Sequence, residues 1–153
     1  AVIERCLNER VAITPGAVPL VRTMRARGGT AILISGGFTR FAEPVAERIG
    51  FNRAIANVLD IADGKLAGTV ARPIVDSAAK RRTLEEASTG LGRSQTLAVG
   101  DGANDLPMIE AAGLGVAFRA KPIVAQAAGA RIDHNDLTAL LYAQGWSRRD
   151  WAA

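Results

Sequence analysis

A layered α/β sandwich with a mostly parallel sheet is the fold class this sequence predicts, and three observations predict it. Short, apolar, β-rich runs at Thr30–Ser35 (TAILIS), Gln95–Gly100 (QTLAVG) and Leu114–Phe118 (LGVAF) read as buried parallel strands. Longer stretches with apolar residues at helical spacing alternate with them. Between Ala54 and Val75 (AIANVLDIADGKLAGTVARPIV) the period changes to about two on either side of Asp63-Gly64, the signature of a β-hairpin.

Taken in order, Ala1–Ala12 has helical spacing and stops at ITPG, where Thr14 is expected to cap and Pro15 to open the next helix. That helix, Ala17–Gly29, ends on a glycine pair and leads into the strand TAILIS. Phe38–Gly50 follows as a helix, with Pro44 as a weak point and Gly50 as its stop. After the hairpin, Asp76–Gly90 is helical, QTLAVG is a strand, Asn104–Gly113 is a helix and LGVAF is a strand. Lys121–Gly129 and Leu137–Gly145 close the chain as helices. No internal repeat or low-complexity segment interrupts the pattern.

At 153 residues and 48% hydrophobic, the sequence can bury one sizeable core, so one domain is the default. Its net charge of +4 sits in separate small groups (Arg22, Arg25, Arg27; Lys80, Arg81, Arg82; Arg148, Arg149), with both tryptophans near the C-terminus instead of interleaved with them. That distribution reads as solvated helix faces and points away from a nucleic-acid partner. No apolar run approaches the ~20 residues needed to cross a bilayer, so no membrane partner is expected. The single cysteine, Cys6, excludes an internal disulfide framework and fits a reducing, cytoplasmic setting.

In an open α/β sheet, ligands bind beyond the carboxyl ends of the strands. Two strands here have distinctive endings. TAILI runs into Ser35-Gly36-Gly37, a hydroxyl with unobstructed backbone N–H groups just ahead of a helix, which suits a phosphate. LAV runs into Gly100-Asp101-Gly102-Ala103-Asn104-Asp105, where two carboxylates and an amide suit a hard cation such as Mg²⁺. Each piece alone has a plainer reading. Ser-Gly-Gly and Gly-Asp-Gly are ordinary turns, Asn104 or Asp105 can cap a helix, and Lys80 can face solvent. Their joint occurrence in this order, with Lys80 on the intervening helix, favours a site for phosphoryl chemistry.

The set ISGGF, Lys80 and VGDGANDLPMI, with the hairpin ANVLDIADGKLAGTV between the first two, resembles the haloacid dehalogenase superfamily and, within it, the phosphoserine phosphatases. The resemblance runs from about Thr14 to the C-terminus. It implies a three-layer, Rossmann-like core over residues 14–153, with a hairpin flap at about 54–71, and a remnant of a helical cap at residues 1–13. It also implies hydrolysis of O-phosphoserine, the last step of serine biosynthesis, through an aspartyl-phosphate intermediate with Mg²⁺. By the same resemblance Ser35, Gly36 and Gly37 bind the phosphoryl group, Lys80 neutralises its charge, Asp101 ligates Mg²⁺ and Asn104 hydrogen-bonds the substrate. Asp105 then orients Lys80 or supports the metal shell.

One part of the family pattern is missing. The superfamily attacks phosphorus with the first Asp of an Asp-x-Asp motif on its first strand, and none of the aspartates here, at 60, 63, 76, 101, 105, 133, 136 and 150, stands in such a motif. The first strand and most of the cap are therefore expected upstream, in a missing N-terminal segment of the same protein. Residues 1–153 alone are then expected to be inactive. TAILI and TLAV are expected to flank an empty strand slot, which that segment or a strand from a second copy would fill. Two other readings stay open: a phosphatase of another small phosphate ester, and a noncatalytic α/β domain that binds a phosphorylated ligand.

Overall fold

The computed structural model describes residues 2–153; Ala1, at the start of the first expected helix, lies outside the described residues. The chain is α/β with parallel sheets, and it divides into two compact units: the residues up to Ile74 together with Asp136–Ala153, and Val75–Asn135.

The first unit opens with α1 (Val2–Glu9) and α2 (Ala17–Ala26), then β1 (Ile32–Phe38), α3 (Thr39–Ile49) and β2 (Arg53–Asn57). α2 is not capped as expected. Its N-cap is Gly16 at φ 83°, with no side-chain cap, and a Cβ there would lie 2.7 Å from the backbone N of both Leu137 and Thr138. The close approach of the 136–138 segment, together with a left-handed turn, demands glycine, so Pro15-Gly16 makes the turn and Thr14 contributes only its carbonyl to Ala17 N. Gly50 ends α3 in the left-handed conformation at φ 104°, as its position predicts. Pro44 stays inside α3.

β1 and β2 pair in parallel through Ile32↔Arg53, Leu33↔Ala54 and Ile34↔Ile55. β1 is longer than its sequence suggests, because Ser35-Gly36-Gly37 remains within the strand before Phe38 pairs with Asn57. The period-two stretch is likewise two things. Its first part is β2, a parallel strand, and only β3 (Leu59–Ala62) and β4 (Lys65–Val70) form the antiparallel hairpin. Asp63 at φ 51° and Gly64 at φ 73° make its tight turn, the left-handed pair that Asp-Gly favours. Ala17, Val21 and Ile49 form the buried centre of this unit, with Val18, Val45 and Phe51 packed against them. α7 (Ala139–Ala143) completes it, and Ala152 N donates to the fully buried Thr23 Oγ1 at 2.8 Å, tying the C-terminal residues to α2.

The second unit contains α4 (Ser77–Ala87), β5 (Leu97–Gly100), α5 (Leu106–Ala111), β6 (Leu114–Phe118), α6 (Pro122–Ala127) and β7 (Ala130–Ile132). β5, β6 and β7 form one parallel sheet in that order. β7 was not expected, since a three-residue strand containing Arg131 is too short to show a period. β6 is the most deeply buried strand, with Val116 and Ala117 at 0% and 1% exposure, and Ile109, Ala117 and Val124 lock α5 and α6 onto it. Among the described residues β1 pairs only with β2, and β5 only with β6, so each keeps one edge without a strand partner.

Glycine lets α5 lie directly on β6: a Cβ at Gly115 would sit 2.1 Å from the Ile109 carbonyl oxygen. Gly115→Ala is expected to destabilise the protein by about 1–3 kcal/mol through overpacking, read from denaturant unfolding. A loss below about 0.5 kcal/mol would mean that α5 shifts away freely and does not depend on this approach.

Candidate active site

In the second unit, Asp76 starts α4 by accepting the Ala79 N–H at 2.7 Å through its side chain. This fixes the first turn of a helix whose one buried residue is Lys80, at 5% exposure. The solvent-facing reading of Lys80 is therefore wrong. Its Nζ donates to Asp105 Oδ1 at 2.7 Å, and Asp105 is equally buried at 6%. The pair is internal, and each member would be costly to bury without the other.

The second carboxylate oxygen of Asp105 accepts the backbone N–H groups of Asp101 and Gly102, both at 3.1 Å. Asp105 N in turn donates to the Gly102 carbonyl at 2.9 Å. One side chain thus closes the whole Gly-Asp-Gly loop on itself and grips Lys80 as well. Gly100 makes room for it, since a Cβ there would lie 2.5 Å from Asp105 Cβ and Cγ. Burial pushes the Asp105 carboxyl up, but the hydrogen bonds from Lys80 and the two N–H groups, with the ammonium charge, outweigh it and hold it below its ordinary value. Asp105 is an anion here, with its oxygens committed to Lys80 and the loop.

That commitment separates two residues that the sequence treats alike. Of the two carboxylates in the motif, Asp101 is exposed at the carboxyl end of β5 and Asp105 is turned inward. Asn104 is exposed on the same loop. Asp101 also supplies its carbonyl to Lys121 N at 3.2 Å, which ties the loop to the start of α6. No group of three His, Cys, Asp or Glu side chains suited to a metal occurs among the described residues. Asp101 fits a hard cation as a single anionic oxygen ligand.

In the first unit, Ser35, Gly36 and Gly37 form an irregular stretch inside β1, with Ser35 half-buried and the two glycines exposed. Ser35 Oγ accepts the Gly37 N–H at 3.0 Å, so Gly37 is already engaged by Ser35. The hydroxyl proton of Ser35 remains available to donate. Asn57, buried at 7% exposure, donates from Nδ2 to the Gly36 carbonyl at 2.8 Å. Sequence reasoning missed Asn57. The available signal was a polar, turn-favouring residue at the end of an apolar alternating run, a position where strands disfavour Asn unless its amide is used.

Residues 1–110 match the haloacid dehalogenase-like hydrolase family. The chain is 46% identical over 146 residues to the phosphoserine phosphatase of Streptomyces coelicolor, covering 94% of this chain and 36% of that protein. It is also 46% identical over 140 residues to that of Albidiferax ferrireducens, covering 88% of this chain and 59% of that one. Its fold superposes on a substrate-bound phosphoserine phosphatase complex with a TM-score of 0.84 at 37% identity, over 92% of this chain and 67% of the other. No helix among the described residues is long and apolar enough to cross a membrane.

The buried pair has a pH signature. Asp105 titrates below the ~3.9 of an unfolded aspartate, so its stabilising contribution is complete above that value and is lost as pH falls through the folded pKa. Lys80→Ala strands the carboxylate and is expected to cost about 3–5 kcal/mol at neutral pH. The gap to the wild type should narrow as pH falls toward the lowered folded pKa and the wild-type pair begins to lose its carboxylate. Unfolding measured from pH 3 to 8 tests this; a pH-independent loss under about 1 kcal/mol would contradict it.

Proposed function

The chain belongs to the haloacid dehalogenase-like hydrolase family, and on that premise we propose that the protein carrying it is a phosphoserine phosphatase, hydrolysing O-phosphoserine to serine and phosphate. The observation that carries the reading is the buried Lys80–Asp105 pair, pinned to a loop that exposes Asp101 and Asn104. An ammonium has three donors, and here one of them meets Asp105. A cation held dry in this way answers the negative charge of a phosphoryl group far more strongly than a hydrated one does.

Each side chain then has a defined task. Lys80 neutralises phosphoryl charge, and Asp105 keeps it oriented and charged. Ser35 donates its hydroxyl proton to a phosphoryl oxygen while its own oxygen is held by Gly37 N–H, and the Gly36 N–H is a second donor. Asn104 offers its amide to the bound ester. A divalent cation such as Mg²⁺ would be held by Asp101, with the rest of its shell supplied from outside the described residues, and would add Lewis-acid stabilisation of the phosphoryl oxygens. The attacking carboxylate lies outside these 153 residues, since none of their aspartates stands in an Asp-x-Asp motif. In phosphoryl transfer, positioning and charge stabilisation supply most of the rate, and those are the tasks these residues can perform.

The test is phosphate release from O-phosphoserine by the complete gene product. Lys80→Ala is expected to lower kcat/KM by ~10²-fold or more, and Asp101→Asn to raise the metal concentration needed for half-maximal activity. A complete gene product that binds O-phosphoserine without releasing phosphate would instead support the noncatalytic binding reading. Preferential hydrolysis of a different small ester would move the substrate assignment and leave the chemistry in place.

A further inference from the structure

We propose that Asn57 is a positioning residue that aims the Ser35 hydroxyl at the phosphoryl group; the inference rests on the phosphatase reading of the Ser35–Gly37 turn. The strand register carries it. From Ile34↔Ile55 to Phe38↔Asn57, β1 advances four residues while β2 advances two. Ser35, Gly36 and Gly37 therefore stand opposite Ala56 alone, as a β-bulge, the device that re-aims side chains beside functional sites. A bulge made of two glycines has little to hold its shape, since glycine is the residue with the widest choice of backbone conformation. Gly36 and Gly37 are moreover exposed.

One peptide plane fixes the turn. The Gly36 carbonyl and the Gly37 N–H belong to the same planar, trans peptide unit, so they point in opposite directions. Asn57 Nδ2 donates to the carbonyl end at 2.8 Å, and the N–H end donates to Ser35 Oγ at 3.0 Å. Pinning the oxygen therefore aims the N–H, and the N–H occupies a lone pair of Ser35 Oγ. With that lone pair taken, the Ser35 proton is left to point away from the turn toward an incoming acceptor. Polarisation along such a chain strengthens each successive donor. Asn57 is itself locked in place: it is buried at the end of β2 and paired in register with Phe38. Its side chain reaches the cradle through the Gly36–Gly37 peptide, with no need to touch substrate.

This chain of bonds makes a prediction that a merely structural asparagine does not. The effect of Asn57 on turnover must pass through the Ser35 hydroxyl. In the complete gene product, Asn57→Leu, of similar volume but without the donor, is expected to lower kcat/KM for O-phosphoserine by about tenfold or more, the scale of one well-placed hydrogen bond and its knock-on loss. In a Ser35→Ala background the same substitution is expected to change kcat/KM by less than about threefold, because the group it positions is gone. Asn57→Ala, which leaves a small gap in place of an apolar branch, repeats the comparison should the leucine variant not fold. Equal fold-losses in both backgrounds would overturn the proposal and leave the phosphatase reading standing. A wild-type protein without activity on O-phosphoserine or on a generic aryl phosphate would remove both together.

Discussion

A lysine buried on the fourth position of a helix is tolerable only if an anion meets it, and in this protein that anion is Asp105. Much of the second unit's local geometry follows from this constraint. Asp76 sets the start of α4 and hence the height at which Lys80 enters. Gly100 must lack a side chain so that the carboxylate can seat, and the loop after β5 must fold back so that two of its N–H groups reach the remaining oxygen. Removing either charge leaves the other stranded at a cost of several kcal/mol, a large share of the ~5–15 kcal/mol by which domains are stable.

The same bonds divide labour among residues of similar chemistry. Asp101 and Asp105 are both carboxylates four positions apart, yet one is exposed and the other is saturated by an ammonium and two peptide N–H groups. Backbone geometry makes that distinction, since the helical turn Ala103–Asp105 swings the second carboxylate back over the glycines. In the first unit a bulge plays the corresponding part. It lifts Ser35 out of an otherwise regular parallel ladder and leaves the two glycines that follow it exposed.

Much of this was legible in the sequence because it rests on local signals. The apolar strand runs, Asp63-Gly64 at the hairpin turn and Gly50 as a helix stop all act over a few residues, and all occupy their expected places. What was not legible depends on partners distant in the chain. Thr14 looked like the cap of α2 because nothing in ITPG shows that residues 137 and 138 crowd Gly16. Lys80, flanked by Ala79 and Arg81, carries no local mark of burial; its burial is decided by a carboxylate 25 positions away. Asn57 belongs to the same class, for its amide is spent on a carbonyl 21 positions upstream. The first part of the period-two stretch reads as hairpin because alternation alone cannot tell a parallel strand from an antiparallel one.

The central claim is that Lys80 and Asp105 act as one unit, and a double-mutant cycle on unfolding free energy tests it most directly. Lys80→Met, Asp105→Asn and the double variant would be compared with the wild type at neutral pH in the complete gene product. A buried, hydrogen-bonded ion pair predicts a coupling above about 1.5 kcal/mol, with the double variant more stable than the sum of the two single losses implies. Losses that add to within about 0.5 kcal/mol would contradict the account, because they would mean that neither group depends on the other for its place in the fold.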